Sequence, residues 1–257
     1  MYTQEIWLPT NLTTDKEILY NEFFLLLTEY YENGQVQDGT DNLHFDSDNI
    51  RGFPLTIAKD ALNKKYNTPL INERIKKIET LANSKLQFKI LGELPLNTDK
   101  ECKCKKTTFY ILYTTFTNLG SPITCGTCNL NVPLYKLPLF NQYGYGPILK
   151  WESNYQSCDR LNMNCAVGEV WAMKQMWRAD SQLSKQGIDI CKKLTELTNT
   201  PTFYYLFNYR SIRHSKDIKR KCPCCGGEWL LQEKLHNIFD FKCDNCNLIS
   251  SLSDNSY

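Results

Sequence analysis

Apolar side chains recur at helical spacing early in the chain. Leu19, Phe23, Leu26 and Tyr30 stand four, three and four residues apart, with Leu27 and Tyr31 beside them. A Thr14-x-x-Glu17 capping box marks the start of this helix and Asn33-Gly34 its stop. A short strand over residues 4–8 precedes it, and an extended pair over 35–45 and 53–59 follows. Ile71, Ile75, Ile78 and Ala82 mark a second amphipathic helix, which leads into the alternation of Leu86, Phe88 and Ile90, the pattern of a half-buried strand. The resulting order, β-α-β-β-α-β, is that of a ferredoxin-like sandwich over residues 1–97.

Beyond it, residues 107–116 are almost wholly β-branched or aromatic and read as a strand. The two prolines of Val132-Pro133-Leu134-Tyr135-Lys136-Leu137-Pro138 predict an extended connector. Helical periodicity takes over from Trp151 to Asn199, broken at Gly168, with Leu183, Gly187, Ile190, Leu194 and Leu197 on one face. Phe203 to Phe207 reads as a strand, and two short strands are predicted at 228–231 and 238–242, with His236-Asn237 near their turn. We therefore expect an α+β chain in four parts: an N-terminal domain (1–97), a hairpin module with connector (98–138), a mainly helical region (139–208) and a basic segment with a C-terminal hairpin (209–257).

A 257-residue chain with 42% hydrophobic and 23% charged residues can bury a core, and no apolar run approaches the ~20 residues that span a bilayer. The opening Met1-Tyr2-Thr3-Gln4-Glu5 is not a secretory segment, so a cytoplasmic location is expected. The net charge of +2 conceals polarity: residues 1–60 hold 11 acidic and 3 basic side chains, net −8, which leaves +10 for the remainder.

Eight of the twelve cysteines form two metal-ligand patterns. Cys222-x-x-Cys225 and Cys243-x-x-Cys246 are 17 residues apart, the spacing of two knuckles around one tetrahedral ion. Pro223 and Gly226-Gly227 allow tight turns there. Cys224 is surplus, because adjacent thiols do not make a knuckle. Cys102-x-Cys104 and Cys125-x-x-Cys128 are separated by 20 residues, and Lys100, Lys103, Lys105 and Lys106 argue against burial of free thiols at the first pair. The expected cofactor is Zn2+ at two structural sites, which makes 98–138 a zinc hairpin module with connector and gives 209–257 a C-terminal zinc ribbon. Cys158, Cys165 and Cys191 lack spaced partners and read as core thiols, and Trp151, Trp171 and Trp177 as packing residues.

Between the strand at 203–207 and the ribbon lie Arg210, Arg213, Lys216, Lys219, Arg220 and Lys221, with Asp217 the one acid among them. Basic groups beside aromatics suit a single-stranded nucleic acid, with phosphates tracked by cations and bases stacked on rings. A solvated basic loop beside a buried strand is the alternative.

The chain resembles an uncharacterised bacterial family of zinc-ribbon-containing proteins with a suspected nucleic-acid-binding role. The resemblance covers the C-terminal two thirds. It rests on Cys125-Gly126-Thr127-Cys128 with the following Val132–Pro138 run, on Trp151 through Tyr155, Cys158, Asp159 and Leu161, on Pro201 to Leu206, and on the ribbon cysteines with Gly226-Gly227 and Phe239 to Lys242. It implies a zinc ribbon and a nucleic-acid partner. No catalytic residue is expected, since His44, His214 and His236 sit in no recognisable catalytic motif and a four-cysteine zinc leaves no position for water. The rival expectation is a protein-binding module, for example an immunity protein that neutralises a toxin through acidic residues 38–48.

Overall fold

A computed structural model of the chain describes residues 1–10, 15–95, 100–142, 144–208 and 213–253. The fold is mixed α+β, with two sheets in two compact units. Thr14 lies outside the described residues, as does Arg210.

The first unit comprises residues 1–101, 119–121 and 130–146. Helix α1 (Lys16–Glu32) is capped by Asp15, whose carboxylate accepts from the amides of Glu17 and Ile18, and it stops at Asn33 before left-handed Gly34. Helix α2 (Pro69–Ala82) is capped by Thr68. The strands are β1 (Tyr2–Pro9), β2 (Leu43–Phe45), β3 (Asn49–Gly52), β4 (Leu55–Thr56) and β5 (Gln87–Glu93). Their order across the sheet is β2-β3-β1-β5, and β4 continues the β3 side of β1; all these pairs are antiparallel. The expected strand at 35–45 shrinks to β2, because the backbone amides of Gln35 and Val36 turn back to the Tyr30 carbonyl at the end of α1 and Gly39 turns at positive φ. Pro54, which has no N–H to donate, stands where the expected strand at 53–59 breaks.

The core of this unit includes Ile6, Leu8, Leu19, Phe23, Leu26, Tyr30, Ile71 and Ile78. Strand β5 departs from its expected half-burial. Helix α2 packs on α1 and touches β1, and every residue of β5 is exposed.

The second unit comprises residues 102–118, 122–129 and 147–257. Parts of all three expected C-terminal segments meet in one six-stranded sheet of order β7-β6-β8-β11-β10-β9. Its strands are β6 (Tyr110–Leu112), β7 (Ile123–Cys125), β8 (Thr202–Tyr205), β9 (Leu230–Leu235), β10 (Phe239–Cys243) and β11 (Leu248–Ser250). Strand β8 pairs in parallel with both β6 and β11, so it joins the two cysteine-bearing hairpins. Ile111, Phe203, Tyr205, Phe239 and Ile249 form the core of one face.

Helices α3 (Gly146–Asn164), α4 (Glu169–Trp177) and α5 (Gln182–Thr198) belong with this sheet. Gly187 of α5 lets Tyr204 and Trp151 close in: a Cβ there would collide with the Tyr204 ring and lie 2.8 Å from Trp151 Nε1. Trp151 is buried, but Trp171 is 57% exposed on α4. Cys158 and Cys191 are buried thiols, whereas Cys165 is exposed, because it turns the chain at positive φ just after α3.

Candidate metal centres and basic groove

Each predicted cysteine quartet assembles. Cys102, Cys104, Cys125 and Cys128 bring their sulfurs within 4.8 Å of one another, and so do Cys222, Cys225, Cys243 and Cys246. Cys128 and Cys102 Sγ are 3.5 Å apart, and Cys225 and Cys243 Sγ 3.6 Å. A disulfide requires ~2.05 Å, and all twelve cysteines are unpaired. Each quartet can hold a metal ion. Cys224 is exposed and outside both groups.

The knuckles share one backbone device. Four residues after the first cysteine of each Cys-x-x-Cys, the chain turns left-handed, at Asn129 (φ 56), Gly226 (φ 71) and Asn247 (φ 50). Only glycine and, less readily, asparagine adopt this conformation at little cost. The Asn129 amide donates to the Cys125 carbonyl at 2.7 Å, and the Gly226 amide to the Cys222 carbonyl at 2.9 Å.

The same loops prepare sulfur for a cation. Burial opposes ionisation of Cys125, but the Thr107 hydroxyl and the Cys128 and Thr127 amides outweigh it and bring the thiol down to about 6. The Gly227 amide, then the neighbouring sulfurs of Cys246 and Cys243, bring Cys225 down to about 7. Burial pushes Cys102 and Cys246 up, so without an ion each quartet concentrates its protons on particular sulfurs. A bound cation displaces such protons.

The two quartets are tied together within the sheet. His236 and Asn237, both at positive φ, lie in the three-residue connection between β9 and β10, where the Ile238 amide donates to the Leu235 carbonyl. His236 Nε2 lies 2.8 Å from the carbonyl of Gly126, inside the first quartet's knuckle. Lys242, next to Cys243, places its ammonium 4.4 Å from the Phe203 ring centroid and 5.4 Å from that of Phe109.

The basic segment splits by role. Arg213, Lys216, Lys219 and Lys221 are exposed. Arg220 instead stacks 4.4 Å from the Phe241 ring centroid and 5.0 Å from that of Trp229. Its Nη2 donates to the Ser251 carbonyl at 3.0 Å, and its Nε is 3.2 Å from buried Asp217. Asp217 also accepts from the Ser253 amide and Asn208. The aromatic strand resolves toward the packing alternative, since Phe203, Tyr204, Tyr205 and Leu206 are all buried. Phe207 and Trp177, both half-buried, instead line a groove of about 670 Å³ with Arg178, Lys185, Lys221 and Pro223.

Comparison with known proteins now bears on this second sheet. A family model described as "Domain of unknown function (DUF2310)" matches residues 104–207. Another, described as "Domain of unknown function (DUF8594)", matches residues 212–256. A Haemophilus influenzae protein named "Uncharacterized protein" is 30% identical over 234 residues, 90% of this chain and 89% of its own length. The chain belongs to its family. A second Haemophilus influenzae "Uncharacterized protein" of this kind is 34% identical over 168 residues, 65% of this chain and 82% of its own. The two matched domains of the family divide the second sheet, β6, β7 and β8 falling in one and β9, β10 and β11 in the other. No solved structure matches the chain significantly.

Sequence reasoning did not single out Thr107, Asn129, Asn247 or the role of His236. The recurring Asn or Gly directly after each knuckle was the available signal. No helix among the described residues is long and apolar enough to cross a membrane.

Proposed function

We propose that this chain is a non-catalytic, cytoplasmic zinc protein whose second unit binds nucleic acid beside a C-terminal zinc ribbon. Zinc suits all-thiolate quartets, and at ~2.3 Å from each sulfur a tetrahedral ion sets sulfurs ~3.8 Å apart, close to the 3.5 and 3.6 Å separations here. Four thiolates complete the coordination and leave no position for substrate or water, which supports a structural role. The two-knuckle hairpin with its positive-φ turn at His236 and Asn237 supports the ribbon reading, and the antiparallel β2-β3-β1-β5 order supports a ferredoxin-like first unit.

The observation that carries the nucleic-acid reading is the run of exposed cations Arg213, Lys216, Lys219 and Lys221, the last of which, paired with Glu228, lines a groove that also offers Phe207 and Trp177. Cations on a backbone track and half-open rings are the elements of a single-stranded site. Arg220 is left out of the contact set, because its guanidinium is committed to the ribbon.

The test is fluorescence anisotropy with labelled single-stranded RNA and DNA oligonucleotides. Arg213→Glu/Lys216→Glu/Lys219→Glu should weaken binding at least tenfold and reduce the salt slope by about 0.7 per lost phosphate contact. Binding unchanged by the triple substitution contradicts the proposal. No binding by the zinc-loaded wild type does so as well, and turns attention to the rival protein partner at the exposed acids Asp38, Asp41, Asp46 and Asp48.

A further inference from the structure

Strand β5 bounds a groove of about 940 Å³ in the first unit. On β1, Gln4 and Ile6 are buried on the helix-facing side of the sheet, and their register partners on β5 are Ile90 and Phe88. Those two side chains therefore extend the core face, yet they are 44% and 42% exposed. Ile75, Leu62 and Leu86 continue the apolar lining. Tyr30, fully buried, also lines it, and its hydroxyl stands beside Asn67 without a well-formed hydrogen bond. Among the described residues, β5 pairs only with β1, so its outer edge is open over seven residues.

The rim of this groove is cationic. Lys59, Lys64, Lys76, Lys85 and Lys89 line it, against Asp60 and Glu79. Both acids are already engaged, Asp60 by Lys65 and Glu79 by Lys85. Among the described residues Lys64, Lys76 and Lys89 have no ion-pair partner. The opposite edge of the same sheet, at β2, carries the acids of residues 38–48.

We propose that the β5 edge receives an extended, acidic polypeptide segment of another protein, added to the sheet as a further strand. Backbone hydrogen bonds to an open edge give affinity, and alternating side chains give selectivity. Apolar residues of the added strand would rest beside Phe88 and Ile90, the carboxylates alternating with them would meet Lys89 on the other face, and carboxylates flanking the strand would meet Lys64 and Lys76. An open backbone edge with an apolar floor favours a peptide over nucleic acid, whose backbone cannot complete a β-ladder.

The test uses the zinc-loaded full chain and a labelled peptide of four Val-Glu repeats with two further glutamates at each end, read by fluorescence anisotropy. We expect saturable binding below 1 mM, weakened at least tenfold by Lys64→Glu/Lys76→Glu/Lys89→Glu. A Val-Lys peptide and a Val-Glu peptide N-methylated at alternate residues should both fail to bind. Circular dichroism of the variant checks its fold, and the peptide controls test the same point on wild-type protein. No binding of the Val-Glu peptide, or equal binding of the Val-Lys or N-methylated peptide, overturns the proposal. A concentration-dependent dimer that blocks the peptide assigns the edge to a second copy, and an oligonucleotide affinity lowered by the three substitutions assigns the lysines to nucleic acid; either result also overturns it. The oligonucleotide site at Arg213, Lys216 and Lys219 can fail independently of this one.

Discussion

At the scale of single residues, the geometry of the two cysteine quartets depends on backbone conformation as much as on sulfur. Asn129 and Asn247 hold left-handed geometry in their knuckles, a conformation that costs an ordinary side chain roughly 1–2 kcal/mol. Asn247→Gly should therefore keep zinc affinity near wild type. Asn247→Val, with a branched Cβ in the same geometry, should lower it about tenfold or more, because strain in the knuckle subtracts directly from binding. Competition with a chromophoric chelator reads both values, and equal affinities for the two variants would contradict the role given to this turn. The run from Arg213 to Lys221 carries a second residue-scale lesson. Its residues look equivalent as a sequence, but Arg220 is stacked on Trp229 and Phe241 while its neighbours face solvent. A linear list of charges contains no information about side-chain direction.

At the scale of elements, helix α3 carries Glu152, which receives a hydrogen bond from Thr114 Oγ1 at 3.3 Å. Burial pushes its carboxyl up to about 8, against the opposing Thr114 hydrogen bond. An unfolded glutamate titrates near 4.3, so from there to about pH 8 the folded chain holds a proton that the unfolded chain has released. The stability contributed by protonated Glu152 is thus complete below about pH 4.3 and is lost as the pH rises through 8. Each unit of that interval is worth on the order of 1.4 kcal/mol. Glu152→Gln removes the titration, and its Tm should exceed that of wild type by several degrees at pH 8.5 while the two nearly coincide at pH 5. A Tm difference that does not vary with pH contradicts this.

Local patterns made α1, α2 and α5 legible, since their buried residues follow the apolar spacing closely. The alternation of Leu86, Phe88 and Ile90 located β5 but not its exposure, which depends on where α2 packs. Trp171 and Cys165 were misplaced for a related reason: both lie around the turn from α3 into α4, and a helical stripe does not report where a helix ends against its neighbour.

At the scale of the molecule, cysteine spacing identified both quartets, because ligand geometry constrains sequence locally. It could not show that one sheet carries both. That depends on the parallel pairing of β8 with β6 and β11, contacts between segments about 40 to 90 residues apart. Since both quartets belong to the second unit, metal removal should act on that unit selectively. Hydrogen exchange after chelation should show β6 to β11 losing protection while α1 and α2 keep theirs, and uniform loss would contradict a separate core in the first unit.

The most direct test of the account is zinc stoichiometry and coordination, measured on the purified chain by elemental analysis with X-ray absorption. Two zinc ions per chain in all-sulfur shells near ~2.3 Å, with one lost in Cys125→Ser and one in Cys225→Ser, is the predicted result. A single zinc, or nitrogen and oxygen in either shell, would contradict it.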